Sequence, residues 1–458
     1  MGSFVASLLR MTVLLFTDGA LECKRISQVS SRVIRGSLTF VLALGAAACA
    51  GSSASRALEL GDWPSLNRAI ALRQRAGDLS RSEAATLAKA VADRELRTAA
   101  PADAVERVRD ARPCAHELDA ALAERMRTRD AAGAEAALAR IDGRGLDLDD
   151  ARAFADAATP PWRALGARAL VRSEDGSARL HALLDPDPRV RRQAARAARD
   201  AADLADLRAL AEAARLDPEP IVRTEAVRAI AALPMTWDGQ VANVLRDLWT
   251  VGDDGVRQDV ALAWSASSVW PAGGREALRV IVASGHGSGV IEAAAAVLRR
   301  RDGDEDINEA AVGQLARAIE SGAPTARLQA LAQAPLGRPI LRAAVTKAAG
   351  DDDFDVRVAA LARLANAADS HALAELEALG QPGSPVAARA RFALAGARDR
   401  RVQAWLEQDL NSPAPEDRLG AATALATLGV AARAAPLLAD VDPSVRVRAA
   451  CTILMASR

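Results

Sequence analysis

The sequence predicts an all-α protein, an α-solenoid of about ten two-helix repeats behind an N-terminal helical segment. Three observations carry that prediction. The stretch LLDPDPRVRRQAARAARD, residues 183–200, returns in variant form along the chain at a period near 31 residues, and a fixed period of that length marks one supersecondary unit per repeat. Half of the 458 residues are apolar, while aromatics make up 3% and Tyr is absent; small side chains let helices approach, whereas sheets draw on β-branched and aromatic residues. No segment shows the polar/apolar alternation of a strand. A chain this long exceeds one ordinary core, which agrees with an array.

From the N-terminus, residues 32–56 read RVIRGSLTFVLALGAAACAGSSASR. Arg32 and Arg35 form a positive stretch ahead of the apolar run Leu38–Ala48, which is too short to span a bilayer and reads as a signal peptide. Residues 1–31 fit no targeting pattern, because Asp18, Glu22 and Lys24 interrupt them; a start at Val33 would account for this. Residues 49–58 form a Gly/Ser/Ala tether. The full chain balances 59 basic against 59 acidic residues. Without residues 1–48, which carry five basic and two acidic groups, 54 face 57, a net charge of −3. That balance argues against a nucleic-acid binder, which needs a basic field.

Residues 59–148 read as helical hairpins, either diverged repeats or a cap. Helices fit Pro64–Gln74, Ala102–Ala111, Ala115–Arg127 and Gly133–Ile141, and Ser80 with Glu83 forms a capping-box pattern before another. His116-Glu117 lacks the second His of a metalloprotease helix, since that place holds Ala120.

Residues 149–458 are the array. Its anchor positions are Trp162, Val190, Val222, Val256, Val290, Ala326, Val356, Val386, Asp417 and Val445. Asp187 is a good N-cap and Pro188 suits the first helical position. One residue after the anchor stands Arg163, Arg191, Arg223, Arg257, Arg327, Arg357, Arg418 or Arg446 in eight of the ten repeats. Four after it the residue is small in all but Val260, and eight after it every residue is apolar. Positions 0, +4 and +8 share one helical face, so this helix buries a narrow stripe. A second helix precedes each anchor helix, as over Ser177–Leu184, Leu204–Ala214, Gln240–Trp249, Arg275–Ala283, Ile307–Ile319, His371–Leu379 and Val402–Leu410.

The run Asp187-Pro188-Arg189-Val190-Arg191-Arg192-Gln193-Ala194, with its echo from Asp442 to Ala449, resembles HEAT repeats, in particular the short class named after phycobilisome lyases. The resemblance covers two thirds of the chain. It implies a right-handed superhelical solenoid about 100 Å along its curved axis, with a ladder of Asp and Arg between repeats formed by Asp187, Arg191, Arg223, Arg257, Arg357, Asp442 and Arg446. LALGAAAC resembles a lipoprotein lipobox, with Ala46 where Leu is usual. It implies lipidation of Cys49, contact with the membrane through that lipid only, and, because Ala50 is not Asp, the periplasmic face of the outer membrane. Signal cleavage after an A-x-A site without lipidation is the alternative.

No catalytic, cofactor or metal site is expected. The four histidines fall in separate units, Asp302–Asp306 lacks the Gly and Glu of a calcium loop, and Gly285–Gly289 follows no strand. Cys114 and Cys451 read as separate buried thiols, because a bridge between them would require the two ends to meet. Trp237 and Trp270 occupy one inter-repeat loop in consecutive repeats; they either stack, partly exposed, as a partner-binding edge or fold as loop residues onto their own repeats. The function these features suggest is a non-catalytic scaffold for a protein partner; the alternative is a lyase-like enzyme or accessory related to bilin lyases.

Overall fold

The computed structural model describes residues 53–77, 79–235, 239–266, 268–285, 289–300 and 305–458. Cys49, Trp237, the centre of the Gly285–Gly289 loop and most of Asp302–Asp306 lie outside them. The chain divides into two units, Met1–Leu79 and Ser80–Arg458. The described part of the first holds a helix over 53–60 and α1 (Trp63–Ala76), capped by Asp62 and ended at Gly77 with φ +73°.

The second unit is helical hairpins throughout its described residues. In order they are α2 (Arg81–Thr98) with α3 (Ala104–Ala111), α4 (Asp119–Met126) with α5 (Ala131–Asp142), α6 (Leu148–Arg152) with α7 (Pro160–Arg168), and α8 (Gly176–Leu183) with α9 (Pro188–Ala201). Then come α10 (Leu207–Leu216) with α11 (Pro220–Ala232), α12 (Gln240–Val251) with α13 (Asp254–Trp264), α14 (Arg275–Ser284) with α15 (Val290–Arg299), and α16 (Glu305–Ser321) with α17 (Pro324–Gln333). The last are α18 (Pro339–Ala348) with α19 (Phe354–Asn366), α20 (Ser370–Leu379) with α21 (Ala387–Gly396), α22 (Gln403–Asp409) with α23 (Pro415–Thr427), and a 3-10 segment (Ala431–Ala439) with α24 (Pro443–Ala456).

The local chemistry explains these boundaries. Asp187, Asp353 and Asp442 accept backbone N–H groups at the starts of α9, α19 and α24, satisfying donors that a helix end leaves orphaned. Pro188, Pro220, Pro324, Pro415 and Pro443 sit in first turns, where no N–H is missed. Ser80 and Glu83 close the capping box of α2.

The +4 residue is buried in all ten repeats of the array. At Gly166 the need is absolute: a Cβ there would stand 2.1 Å from the Ala155 backbone nitrogen. That contact brings α7 onto the turn after α6, where Trp162 meets Phe154 at 4.7 Å between ring centroids.

Each trailing helix of a hairpin packs against the next trailing helix, while successive leading helices meet more sparsely at every joint except those of α16, which packs against both α14 and α18. In a curved double layer the crowded layer follows the shorter path, so the trailing helices line the concave side. The stack, expected along a curved axis of about 100 Å, is closed by the contacts of α24. It lies against α2 and α3, and the 3-10 segment before it also lies against α2. Residues 80–458 therefore close into a ring of hairpins, in which α2 to α5 stand as two further repeats. Closure needs about 30° of rotation per hairpin; a head-to-tail stack whose rotation closes makes a ring rather than a filament. Twelve trailing helices spaced about 9 Å apart set a circle of about 17 Å radius through their axes, leaving an opening about 23 Å across.

Candidate functional site

The seam of the ring repeats the chemistry of its other joints. In an ordinary joint the +1 arginine uses one nitrogen on two carbonyls of its own turn and the others on an acid of the next repeat. Arg191 donates to the Asp185 and Pro186 carbonyls at 2.9 and 3.0 Å and to Asp217 at 2.7 and 2.9 Å. Arg163 with Asp185, Arg223 with Asp253 and Arg418 with Asp440 form the same joint, and Arg327 keeps the ion pair with Asp351. Arg357 keeps the Asp351 carbonyl and lies over the Phe354 ring, and Arg257 donates to the Trp249 carbonyl at 3.0 Å.

Two assignments within the ladder change. Asp187 and Asp442 cap helices, and the acids of the ladder are Asp185, Asp217 and Asp440, two residues earlier or in the next unit. The reason is reach. The carboxylates of Asp187 and Asp442 are turned onto the first backbone N–H groups of their own helices, whereas Asp253 caps α13 at Val256 and still reaches Arg223.

At the seam Arg446 donates to the Asp440 and Val441 carbonyls and crosses to Glu95 of α2 at 2.7 and 2.9 Å. Both side chains are buried. Ser444 donates to Asp110 at 2.6 Å and also meets Arg107. Cys114 and Cys451 form a disulfide across a separation of 337 residues, which corrects the expectation of two free thiols. The ends meet because α24 is followed in space by α2 and α3. A crosslink over so long a loop removes about 6 kcal/mol of denatured-chain entropy.

Trp270 is corrected as well. It is 6% exposed, with the Arg300 guanidinium 4.5 Å over its ring. The wide turn Trp270–Gly274, with Gly273 at φ +115°, folds the indole inward beside the buried Val269. A side chain so covered cannot present a partner-binding edge. Trp237 lies outside the described residues.

The concave face holds what the sequence reading missed. A groove of about 410 Å³ runs between α17, α19 and α21, lined by Leu328, Val358, Ala362, Phe392 and Ala393 with Asp355 and Arg389 at its rim. Phe392 is 48% exposed there. Its register is +6 from the anchor. Along the array that column reads Arg168, Arg196, Arg228, Leu262, Ala296, Ala332, Ala362, Phe392, Thr423 and Cys451. The +4 and +8 columns stay apolar from repeat to repeat, while this one passes from basic to largely apolar and ends at the disulfide. Aligning it was the signal available in the sequence.

The basic part centres on α9. Arg192, Arg196 and Arg199 all approach the single carboxylate of Glu225 on α11, at 3.5, 3.0 and 3.7 Å. Burial, followed by the charge of Arg196, lowers the proton affinity of Arg192, and Arg112 contributes to the same effect. Arginine stays charged in proteins, so the arc carries more positive charge than Glu225 neutralises. In the circular order of trailing helices α9 is fourth and α21 tenth, so basic arc and apolar groove face each other across the opening. Among the described residues no group of three or more His, Cys, Asp or Glu is placed to hold a metal ion, and no helix is long and apolar enough to cross a membrane.

No protein-family model matches the chain, and no curated protein matches it. Solved structures similar to it include an engineered protein, 19% identical over 82% of this chain and 98% of the other, with a TM-score of 0.24. The karyopherin Kap121p bound to Ste12p is 15% identical over 79% of this chain and 39% of its own, and Kap121p bound to the extreme C-terminus of the phosphatase Cdc14p is 14% identical over 87% and 41%; both have a TM-score of 0.26. The chain spans about two fifths of the length of those Kap121p chains.

Proposed function

We propose that the chain is a non-catalytic protein-interaction scaffold that holds a protein partner against the concave face of its ring. In this reading it acts outside the cytoplasm, anchored by a lipid on Cys49 at the periplasmic face of the outer membrane. The observation that carries the scaffold reading is the contrast between columns: positions +4 and +8 stay apolar in every repeat, and the +6 column does not. A surface with unlike residues at equivalent places is built for something other than holding the repeats together. Export is supported by the buried Cys114–Cys451 bridge, since disulfides persist in oxidising compartments. Lipid anchoring is supported by LALGAAAC before Cys49.

Site-directed photo-crosslinking in cells tests the face. A benzoylphenylalanine at Phe392 is expected to give a discrete protein adduct in the envelope fraction. The same probe at Val280, exposed on the leading helix α14, is expected to give none. Equal labelling at both positions, or adducts at Val280 alone, would overturn the assignment to the concave face. The mass of the mature N-terminus tests the anchor: an unacylated Cys49 or a retained residue 1–31 peptide would contradict it.

A further inference from the structure

The concave face presents two unlike walls. On one, Arg192, Arg196 and Arg199 outnumber the carboxylate they share. On the other, Phe392 stands half-exposed over an apolar groove. The opening between them, about 23 Å, exceeds the 10–12 Å of one helix but matches two helices packed side by side at 8–10 Å.

We propose that the ring receives a helical hairpin of a partner protein, with one helix acidic on its outward face and the other apolar. Carboxylates of the first helix meet the α9 arginines, and apolar side chains of the second fill the groove between α19 and α21. Charge complementarity selects this occupant. Three guanidinium groups stand against two carboxylates, Glu225 and the Asp200 beside Arg199, and planar guanidinium groups bind carboxylates through paired N–H donors. The apolar wall excludes a purely acidic segment, which would leave Phe392 and its neighbours against charged groups. The opening also admits double-stranded DNA by width, but the apolar wall and the near-neutral chain do not match a polyanion charged on all sides.

The inference rests on the concave face being the partner surface, and the test separates the two. A fluorescein-labelled synthetic helical hairpin of about 40 residues, the length two helices of roughly 27 Å require, carries Glu outward on one helix and Leu outward on the other. Anisotropy titration with the oxidised full chain is expected to show binding that weakens as salt rises from about 50 to about 300 mM. Replacing the Glu residues by Lys in the probe, or introducing Arg199→Glu or Phe392→Ser in the protein, is expected to weaken binding at least about tenfold, the scale of a lost charge pair or apolar anchor. Both substituted side chains are at least a third exposed, and the circular-dichroism melt and intact disulfide mass report whether the ring survives. Equal affinity for the Lys probe, tighter binding of a duplex DNA, or no binding of the Glu/Leu hairpin would each overturn the proposal. Should the hairpin fail while the Phe392 cross-link still captures a protein, only the partner's chemistry is wrong; should both fail, the concave-face reading falls too.

Discussion

Replacing Glu95 by Ala tests whether the seam is a true joint of the ring. Arg446 would keep the Asp440 and Val441 carbonyls but lose the carboxylate that balances its charge. The two side chains are 6% and 7% exposed, so the guanidinium would remain buried without a counter-ion. Breaking one partner of a buried pair costs about 3–5 kcal/mol. The Arg97–Glu124 pair gives the contrast: at 3.9 Å, with both side chains more than half exposed, it contributes at most about 1 kcal/mol. The disulfide reports seam opening, because Cys114 and Cys451 are 0% and 2% exposed and a reductant must wait for the joint to open. With about 1.4 kcal/mol per tenfold, Glu95→Ala should speed reduction of the bridge by about a hundredfold to a few thousandfold. Glu124→Ala should speed it less than about fivefold. The assay is mass-resolved thiol trapping in dithiothreitol under native conditions. Glu95→Ala reducing at the rate of the unaltered protein would refute the argument that this pair locks the ring. In the double variant with Arg446→Met no charge stays buried, so its seam should open less readily than that of Glu95→Ala alone.

Other outcomes follow from the same geometry. Gly166→Ala should lower stability in urea by about 2 kcal/mol or more, because the new methyl overlaps backbone that cannot swing aside; an unchanged midpoint would mean that α7 and the Phe154–Ala155 turn are not so close. Arg191→Ala, which strips the buried Asp217 of its partner, should cost about 3 kcal/mol, and Arg189→Ala, from a half-exposed pair, less than about 1 kcal/mol. Acid sensitivity follows from carboxyls held below their ordinary value of 3.8: Asp187 by the Arg189 side chain, Asp253 by the Val256 N–H and Asp399 by the Arg401 side chain. With the folded value below the unfolded one, their stabilisation is complete above pH 3.8 and is lost as pH falls through the folded values. Burial moves Asp206 the other way, so its stabilisation is complete below 3.8 and is lost as pH rises through its raised value. Urea midpoints between about pH 4 and about pH 2 should fall less steeply in Asp253→Asn than in the unaltered protein; identical slopes would refute the assignment.

Local chemistry made much of the fold legible from sequence. Asp-Pro starts, small +4 residues and apolar +8 residues act within one helix or on its immediate neighbour, and a period of about 31 residues multiplies that signal. Closure was not legible, because it depends on about 30° of turn per hairpin, a sum over twelve joints that no single repeat records. Cys114 and Cys451 were therefore read apart, although each is one half of the seam. Trp270 was misplaced for a local reason: loop position predicted exposure, but Gly273 lets the turn swing inward and Arg300 covers the indole. The concave face was legible in part. Arg192, Arg196 and Arg199 stood in the motif from the start, but their meaning depends on Glu225 being the one acid within reach of all three, and that is set by the spacing of α9 and α11.

An open stack loosens from its tips, since its last unit holds to a single neighbour and can fray at the expense of one interface. The Arg446–Glu95 joint removes the tips. In residues 80–458 every hairpin is flanked on both sides, so detaching any of them breaks two interfaces, and nearest-neighbour energetics then favour loss of the whole array in one step over gradual melting. Hydrogen exchange would show this as protection that is level around the trailing helices, with α3 and α24 as slow to exchange as α13.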